Sequence, residues 1–191
     1  LDLLLESGKS DFLHDRETRL DIFADKLVEQ MQKHYPGHLW VVAESSRESA
    51  YMDAKHMFTA MKHLADNAAK HTPAGETIRL GTSVRRPNQG GSMASFWVVN
   101  PGMPLGQEEA QNVFEPIHPY ERRGDWSGPQ MGIGLAVVKA VAHAHGGYAW
   151  VESDMESGTA FGIDIPMAHA ASTAEETEVR EAATAAMQQE Q

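Results

Sequence analysis

Apolar residues recur along the chain in two rhythms, one of helices and one of strands. Leu20, Phe23, Leu27 and Met31 fall three and four apart, which predicts an amphipathic helix over 20–35 that stops at Pro36-Gly37. Met57, Met61, Leu64 and Ala68 repeat that spacing and predict a helix from Ala54 to His71, with Asp53 as its cap and Thr72-Pro73 as its end. Leu39 to Ala43 and Ser49 to Met52 are short enough to be strands. Thr77 to Val84 alternates, with Ile78, Leu80, Thr82 and Val84 on one side, and the turn-rich stretch 87–92 returns it into a strand from Ala94 to Val99. A short helix follows near Gln107 to Phe114. Residues 115–131 hold three Pro and two Gly without periodicity, so they form a long loop, a length typical of functional lids or of disorder. An apolar helix from Gly132 to His145 and a strand pair, Tyr148 to Glu152 with Ala160 to Ile165, complete the pattern. Leu1 to Glu6 fits the last turn of a helix. From Met167 onward Ala, Glu, Gln and Thr dominate, which predicts an acidic tail without a core of its own.

Composition narrows the classes. The 191 residues suffice for one domain with appendages, and the net charge of −11 argues against a nucleic-acid footprint. The absence of Cys excludes a disulfide framework and thiolate metal sites, and fits a reducing, cytoplasmic setting. No apolar run approaches the roughly 18 residues of a membrane span. The ten His form no pair of metal-ligand spacing: His143 and His145 stand two apart on a helix and face different ways.

Candidate chemistry concentrates in the helix over 54–71. His63, Asn67, Lys70 and His71 share one side of it, next to the apolar stripe. An amide, an ammonium and an imidazole held out together suit a Mg-bound polyphosphate, because Mg2+ takes oxygen ligands, an Asn carbonyl among them, and Lys supplies a point charge. A surface helix with ordinary polar residues would carry the same pattern. Val98-Val99-Asn100-Pro101-Gly102 places Asn100 at a strand end, where it is either turn punctuation or an amide paired with a purine edge. Gly132-Ile133-Gly134 runs into a helix, where glycines let backbone approach phosphate and the N-terminus favours anions. Thr159 opens the last strand, with its hydroxyl free to reach a ligand or simply to sit in a turn.

Taken in order, these pieces form one series: helical Asn-Ala-x-Lys-His-Thr, strand then Asn-x-Gly, Phe114, Gly-x-Gly-Leu-Ala-Val-Val, His-Gly-Gly, and Gly-Thr-x-Phe. The series resembles the ATP-binding catalytic domain of bacterial two-component sensor histidine kinases, over roughly residues 15–166. The resemblance implies the Bergerat fold, an α/β (α+β) two-layer sandwich with a mixed, largely antiparallel sheet under a layer of helices and a long ATP lid. It implies ATP and Mg2+ as ligands. Asn67 then coordinates Mg2+ and Lys70 contacts phosphate, the two residues of the catalytic step. His63 lines the phosphate channel, and His71 stands where an aromatic packs on adenine. Asn100 takes the place of the Asp that accepts from the adenine amino group, with Gly102 giving room beside the base. Phe114 heads the lid, Arg122 or Arg123 reaches phosphates, Gly132, Gly134 and Leu135 belong to the second glycine box, and Thr159 sits near adenine.

The departures are specific. Asn100 keeps an acceptor but loses the charge, Pro104 replaces a second Gly, and Gln130 stands where the next box has its first Gly. The phosphoacceptor His of such kinases lies on a dimerisation hairpin before this domain. His14-Asp15-Arg16-Glu17-Thr18 imitates its context but lacks the Pro. Residues 1–14 are therefore expected to be a hairpin stub and linker, 15–166 the catalytic domain and 167–191 the tail. The implied partners are the hairpin of a homodimeric parent and a response regulator, with no nucleic acid and no direct membrane contact by this piece, itself expected to be monomeric. Two other readings share the motifs: an anti-sigma-factor type of Ser kinase, and a degenerate module used for regulatory interaction.

Overall fold

The structure, a computed structural model, describes residues 13–86, 91–102, 104–115 and 133–167. Seven strands and four helices are seen among them: β1 (Arg16–Arg19), α1 (Leu20–His34), β2 (Leu39–Glu44), β3 (Ser49–Met52), α2 (Ala54–His71), β4 (Thr77–Arg85), β5 (Met93–Asn100), α3 (Gln107–Asn112), α4 (Gly134–Ala144), β6 (Tyr148–Asp154) and β7 (Gly158–Pro166). The main sheet runs β2-β4-β5-β7-β6, with β2 parallel to β4 and every other pairing antiparallel. One layer of helices covers one face: α1 lies over β2 and β4, α2 over β5, and α4 over β7 and β6. The mixed sheet under helices is the two-layer architecture expected. The predicted helix from Gly132 begins at Gly134, and the one predicted to reach Phe114 ends at Asn112. The stub over 1–12, most of the turn at 87–92, nearly all of the loop over 115–131 and the tail beyond Met167 lie outside the described residues.

The core lies where the two rhythms meet. Leu20, Leu27 and Met31 from α1 and Met57, Met61 and Leu64 from α2 are fully buried against Ile78, Leu80, Phe96, Ile163 and Ile165 of the sheet. At about 25 cal/mol per Å2 of apolar surface, such burial is the main force holding the helical layer to the sheet.

The other face of the sheet carries no helix among the described residues, and it is protected differently. One row across four strands reads Gly81, Trp97, Gly162, Trp150. A Cβ on Gly81 would run into the Trp97 ring and one on Gly162 into the Trp150 ring, so each indole lies flat over the glycine of the adjacent strand. The Arg85 guanidinium stacks 5.1 Å above the centroid of the Trp150 ring. Trp97 and Trp150 are thus the cover of this face, while Trp40 is a core residue.

β1 joins the domain at the foot of α2. It pairs antiparallel with β3, and the His14 amide donates to Asp53 Oδ2 at 2.9 Å. Asp53 caps α2 as expected, its Oδ1 accepting from the amides of Lys55 and His56. His145, at the end of α4, accepts from the Asp53 amide at Nε2 and donates from Nδ1 to the Val141 carbonyl. Burial opposes the charge on Asp53, but the amides of His14 and His56 and the His56 ring outweigh it and hold the carboxyl well below the usual range. With a depressed folded-state pKa, the stability Asp53 confers is full above its unfolded value near 4 and is lost as pH falls through the folded one. Asp53→Asn, which can still cap but cannot ionise, is expected to melt below the wild type at pH 7, with the gap much narrower at about pH 2. Thermal melts at the two pH values check this, and a gap unchanged in acid would refute it.

Candidate functional site

The C-terminal half of α2 faces the ends of two central strands, and a cavity of about 260 Å3 opens between them. Asn67 and His71, four apart on α2, form its helical wall. Asn100, the last residue of β5, and Thr159, its register partner on β7, form the floor, both only 4% exposed. Leu105, Val113 and Phe161 give it an apolar side, and Gly102 sits at its rim. A slot with one apolar side and an amide and a hydroxyl at the bottom suits a heteroaromatic ring with hydrogen-bonding edges.

Local chemistry holds the floor in place. Gly158 has φ +86° and a Cβ there would overlap the Asn100 carbonyl oxygen, so only glycine lets β7 start hard against the end of β5. Thr159 Oγ1 lies 2.7 Å from Ser153 Oγ, which in turn accepts from the Leu105 amide at 2.9 Å. Asn100 Nδ2 donates to the Pro101 carbonyl at 3.3 Å, a contact that engages the donor end of the amide. A Cβ on Gly102 would meet Asn100 Nδ2 at 3.4 Å and the His71 carbonyl at 3.5 Å, both ordinary contacts. The protein's own packing therefore does not demand glycine there.

Beyond Asn67 the helix wall continues to His63, one turn earlier. Its ring lies against the start of α4, with Nδ1 3.3 Å from where a Cβ of Gly134 would be. Burial, against the opposing pull of Asp66 and together with Lys62 and Lys70, holds the His63 pKa below its ordinary value. Lys70 is exposed and pairs with no carboxylate among the described residues. Asp66 is engaged on the far side by the Tyr35 hydroxyl, whose own pKa burial and this carboxylate push up.

Of the residues singled out from sequence, the cavity brings together Asn67, His71, Asn100, Gly102 and Thr159. His63 and Gly134 adjoin it as a pair. Phe114 and Leu135 pack toward the core, Phe114 edge-on to Phe161 with centroids 6.1 Å apart. Arg122, Arg123 and Gly132 lie outside the described residues. Sequence reasoning missed Ser153, Leu105, Val113 and Phe161; only the Gly-Thr-x-Phe spacing pointed at the last of these. Glu115, where the long loop departs, is held by Lys139 of α4 at 2.6 Å. No group of three His, Cys, Asp or Glu side chains among the described residues could hold a metal ion alone.

Residues 52–169 match the family model for histidine kinase-, DNA gyrase B- and HSP90-like ATPases. A probable sensor kinase, SilS of Salmonella typhimurium, is 34% identical over 107 residues, which are 56% of this chain and 20% of that protein. The sensor histidine kinase CusS of Escherichia coli K12 is 36% identical over the same length, 21% of its own. The chain thus spans about a fifth of these relatives. Among solved structures, the mycobacterial sensor histidine kinase MprB superposes with TM-score 0.62 at 25% identity, covering 79% of this chain and 97% of that one. Full-length ShkA in complex with AMPPNP has the same fold, with TM-score 0.69 at 22% identity over 88% of this chain and 34% of its own.

Proposed function

Because the chain belongs to the histidine kinase-, DNA gyrase B- and HSP90-like ATPase family, we propose that it is the ATP-binding catalytic domain of a sensor histidine kinase. Its task is to deliver the γ-phosphoryl of ATP to a His on the dimerisation hairpin of its parent, for relay to an Asp of a response regulator. The observation that carries this reading is the slot between α2 and the ends of β5 and β7. It has Asn100 and Thr159 at its floor and Asn67 on its wall.

In this reading adenine enters the slot and its amino group donates to the Asn100 Oδ1, which accepts no hydrogen bond among the described residues, while the amide nitrogen is engaged by Pro101. The phosphates then run along α2 past Asn67 toward His63 and Gly134. The donor set fits a nucleotide-borne Mg2+: the Asn67 amide has no hydrogen bond among the described residues, and an amide oxygen is a ligand that ion accepts. When bound, Mg2+ neutralises charge on the phosphates. Lys70 adds a cation, and the start of α4 adds backbone N–H groups of the kind that favour anions. Catalysis on this plan is placement and charge compensation, with no covalent step on the protein.

Calorimetry with ATP, with and without Mg2+, tests the first half of the proposal. Phosphoryl transfer to a separately supplied hairpin tests the second. Micromolar, Mg-dependent binding and phosphohistidine on the hairpin are expected. No nucleotide binding would sink the reading in favour of a regulatory interaction module, and phosphoserine on a bound partner would favour the Ser kinase. Asn100→Ala is expected to weaken ATP by about tenfold, roughly one hydrogen bond in a buried site, without removing the Mg2+ dependence. Equal affinity of variant and wild type would take Asn100 out of base recognition. Among the described residues no helix is long and apolar enough to cross a membrane, and we place this domain on the cytoplasmic side of a homodimeric parent.

A further inference from the structure

We propose that His63 presents an imidazole nitrogen to the nucleotide-bound divalent ion beside the Asn67 oxygen, and so shifts the site's preference from Mg2+ toward first-row transition ions such as Mn2+ and Co2+. The inference rests on the ATP reading above.

Four observations converge on it. His63 and Asn67 stand at i and i+4 on α2, the spacing at which two side chains of one helix reach a single ion. His63 is half-buried yet makes no hydrogen bond or ion pair among the described residues, so no structural partner accounts for its ring nitrogens. The ring is seated against Gly134, where a Cβ would stand 3.3 Å from Nδ1 and crowd it, so glycine makes room for the imidazole at the start of α4. Burial, with Lys62 and Lys70 close by, outweighs the pull of Asp66 and favours the uncharged ring.

Two roles are open to a ring so placed. A protonated His63 would serve as one more cation for phosphate, a task Lys70 already covers and one that burial opposes. An uncharged imidazole offers a lone pair. Mg2+ demands oxygen and makes poor use of it, whereas imidazole binds transition ions increasingly well from Mn2+ to Co2+. A His in this place is therefore wasted on Mg2+ and useful to its competitors.

The test compares wild type with His63→Asn, using a non-hydrolysable ATP analogue with saturating Mg2+, Mn2+ or Co2+. Calorimetry is expected to show the wild type binding the Co2+ complex about tenfold more tightly than the Mg2+ complex, and the variant losing most of that ratio. Electron spin-echo modulation of the bound Mn2+ complex should show coupling to a nitrogen in the wild type and none in the variant. His63→Gln, another neutral side chain with an oxygen donor, repeats the comparison should the Asn variant fold poorly. Nitrogen coupling that survives both substitutions, or ion ratios equal in wild type and variants, would overturn the inference and leave the ATP reading standing. Failure of the wild type to bind the analogue with any of the ions would overturn both.

Discussion

Asn67→Ala is expected to lower affinity for ATP in the presence of Mg2+ by about 30- to 150-fold, while the weaker binding seen without the ion stays as it was. The magnitude follows from one amide oxygen serving a charged complex, worth about 2–3 kcal/mol. The fold should not suffer. Asn67 lies on the cavity wall, the neighbouring Leu64, Ala65 and Ala68 carry the helix's buried side, and alanine is the strongest helix former. Circular dichroism and melting temperature should be those of the wild type. Asn67→Asp keeps an oxygen donor and should recover much of the lost Mg2+ dependence. An Ala variant whose Mg-dependent affinity matched the wild type would remove Asn67 from the metal and with it the central step of the proposed function. A variant that lost binding equally with and without Mg2+ would instead place Asn67 against the base.

The helices were legible in the sequence because each carries its own punctuation. The bounds of α2 follow from Asp53 before it and Thr72-Pro73 after it, and its buried stripe is written in Met57, Met61, Leu64 and Ala68. The strand ends that hold Asn100 and Thr159 were legible because the residues beside them, Pro101-Gly102 and Gly158, break the alternation. β1 was not. Its four residues Arg-Glu-Thr-Arg have no apolar alternation, and only backbone pairing with β3 makes it a strand. Ser153 was hidden for a related reason. It supports Thr159 because the β6–β7 hairpin sets the two opposite each other, a matter of register that local sequence does not encode. The same holds for Trp97 and Trp150: their strands could be read, but not that each would lie over a glycine one strand away. Phe114 and Leu135 show the limit of motif order. They stand in the right places in the series, yet both pack against the core, Phe114 edge-on to the cavity residue Phe161.

The largest stability effect should come from Asp164→Ala, at a position with no part in the nucleotide slot. Asp164 sits on the helix-free face of the sheet and is nevertheless fully buried. It accepts from Ser95 Oγ at 2.6 Å and from Trp150 Nε1 at 2.8 Å on Oδ1, and from the Tyr148 hydroxyl at 3.2 Å on Oδ2, with Arg85 Nη1 3.6 Å away. Three donors from β5 and β6 therefore converge on one carboxylate of β7, the strand between them. Truncation to alanine strips the buried Ser95 hydroxyl and the Trp150 N–H of their acceptor and leaves a void under the indole. Each orphaned group costs about 1–3 kcal/mol, so a loss of about 3 kcal/mol or more is expected. Asp164→Asn keeps an acceptor for Ser95 and Trp150 but gives up the charge and the Oδ2 acceptor that faces Tyr148 and Arg85, so it should retain about half of that stability. Urea unfolding at neutral pH, followed by circular dichroism, measures both variants. If alanine and asparagine were equally mild, the carboxylate would be a bystander and the flat packing of Trp150 on Gly162 would have to secure this face alone. That alternative has its own signature, because Gly162→Ala would then destabilise the domain far more than Asp164→Ala does.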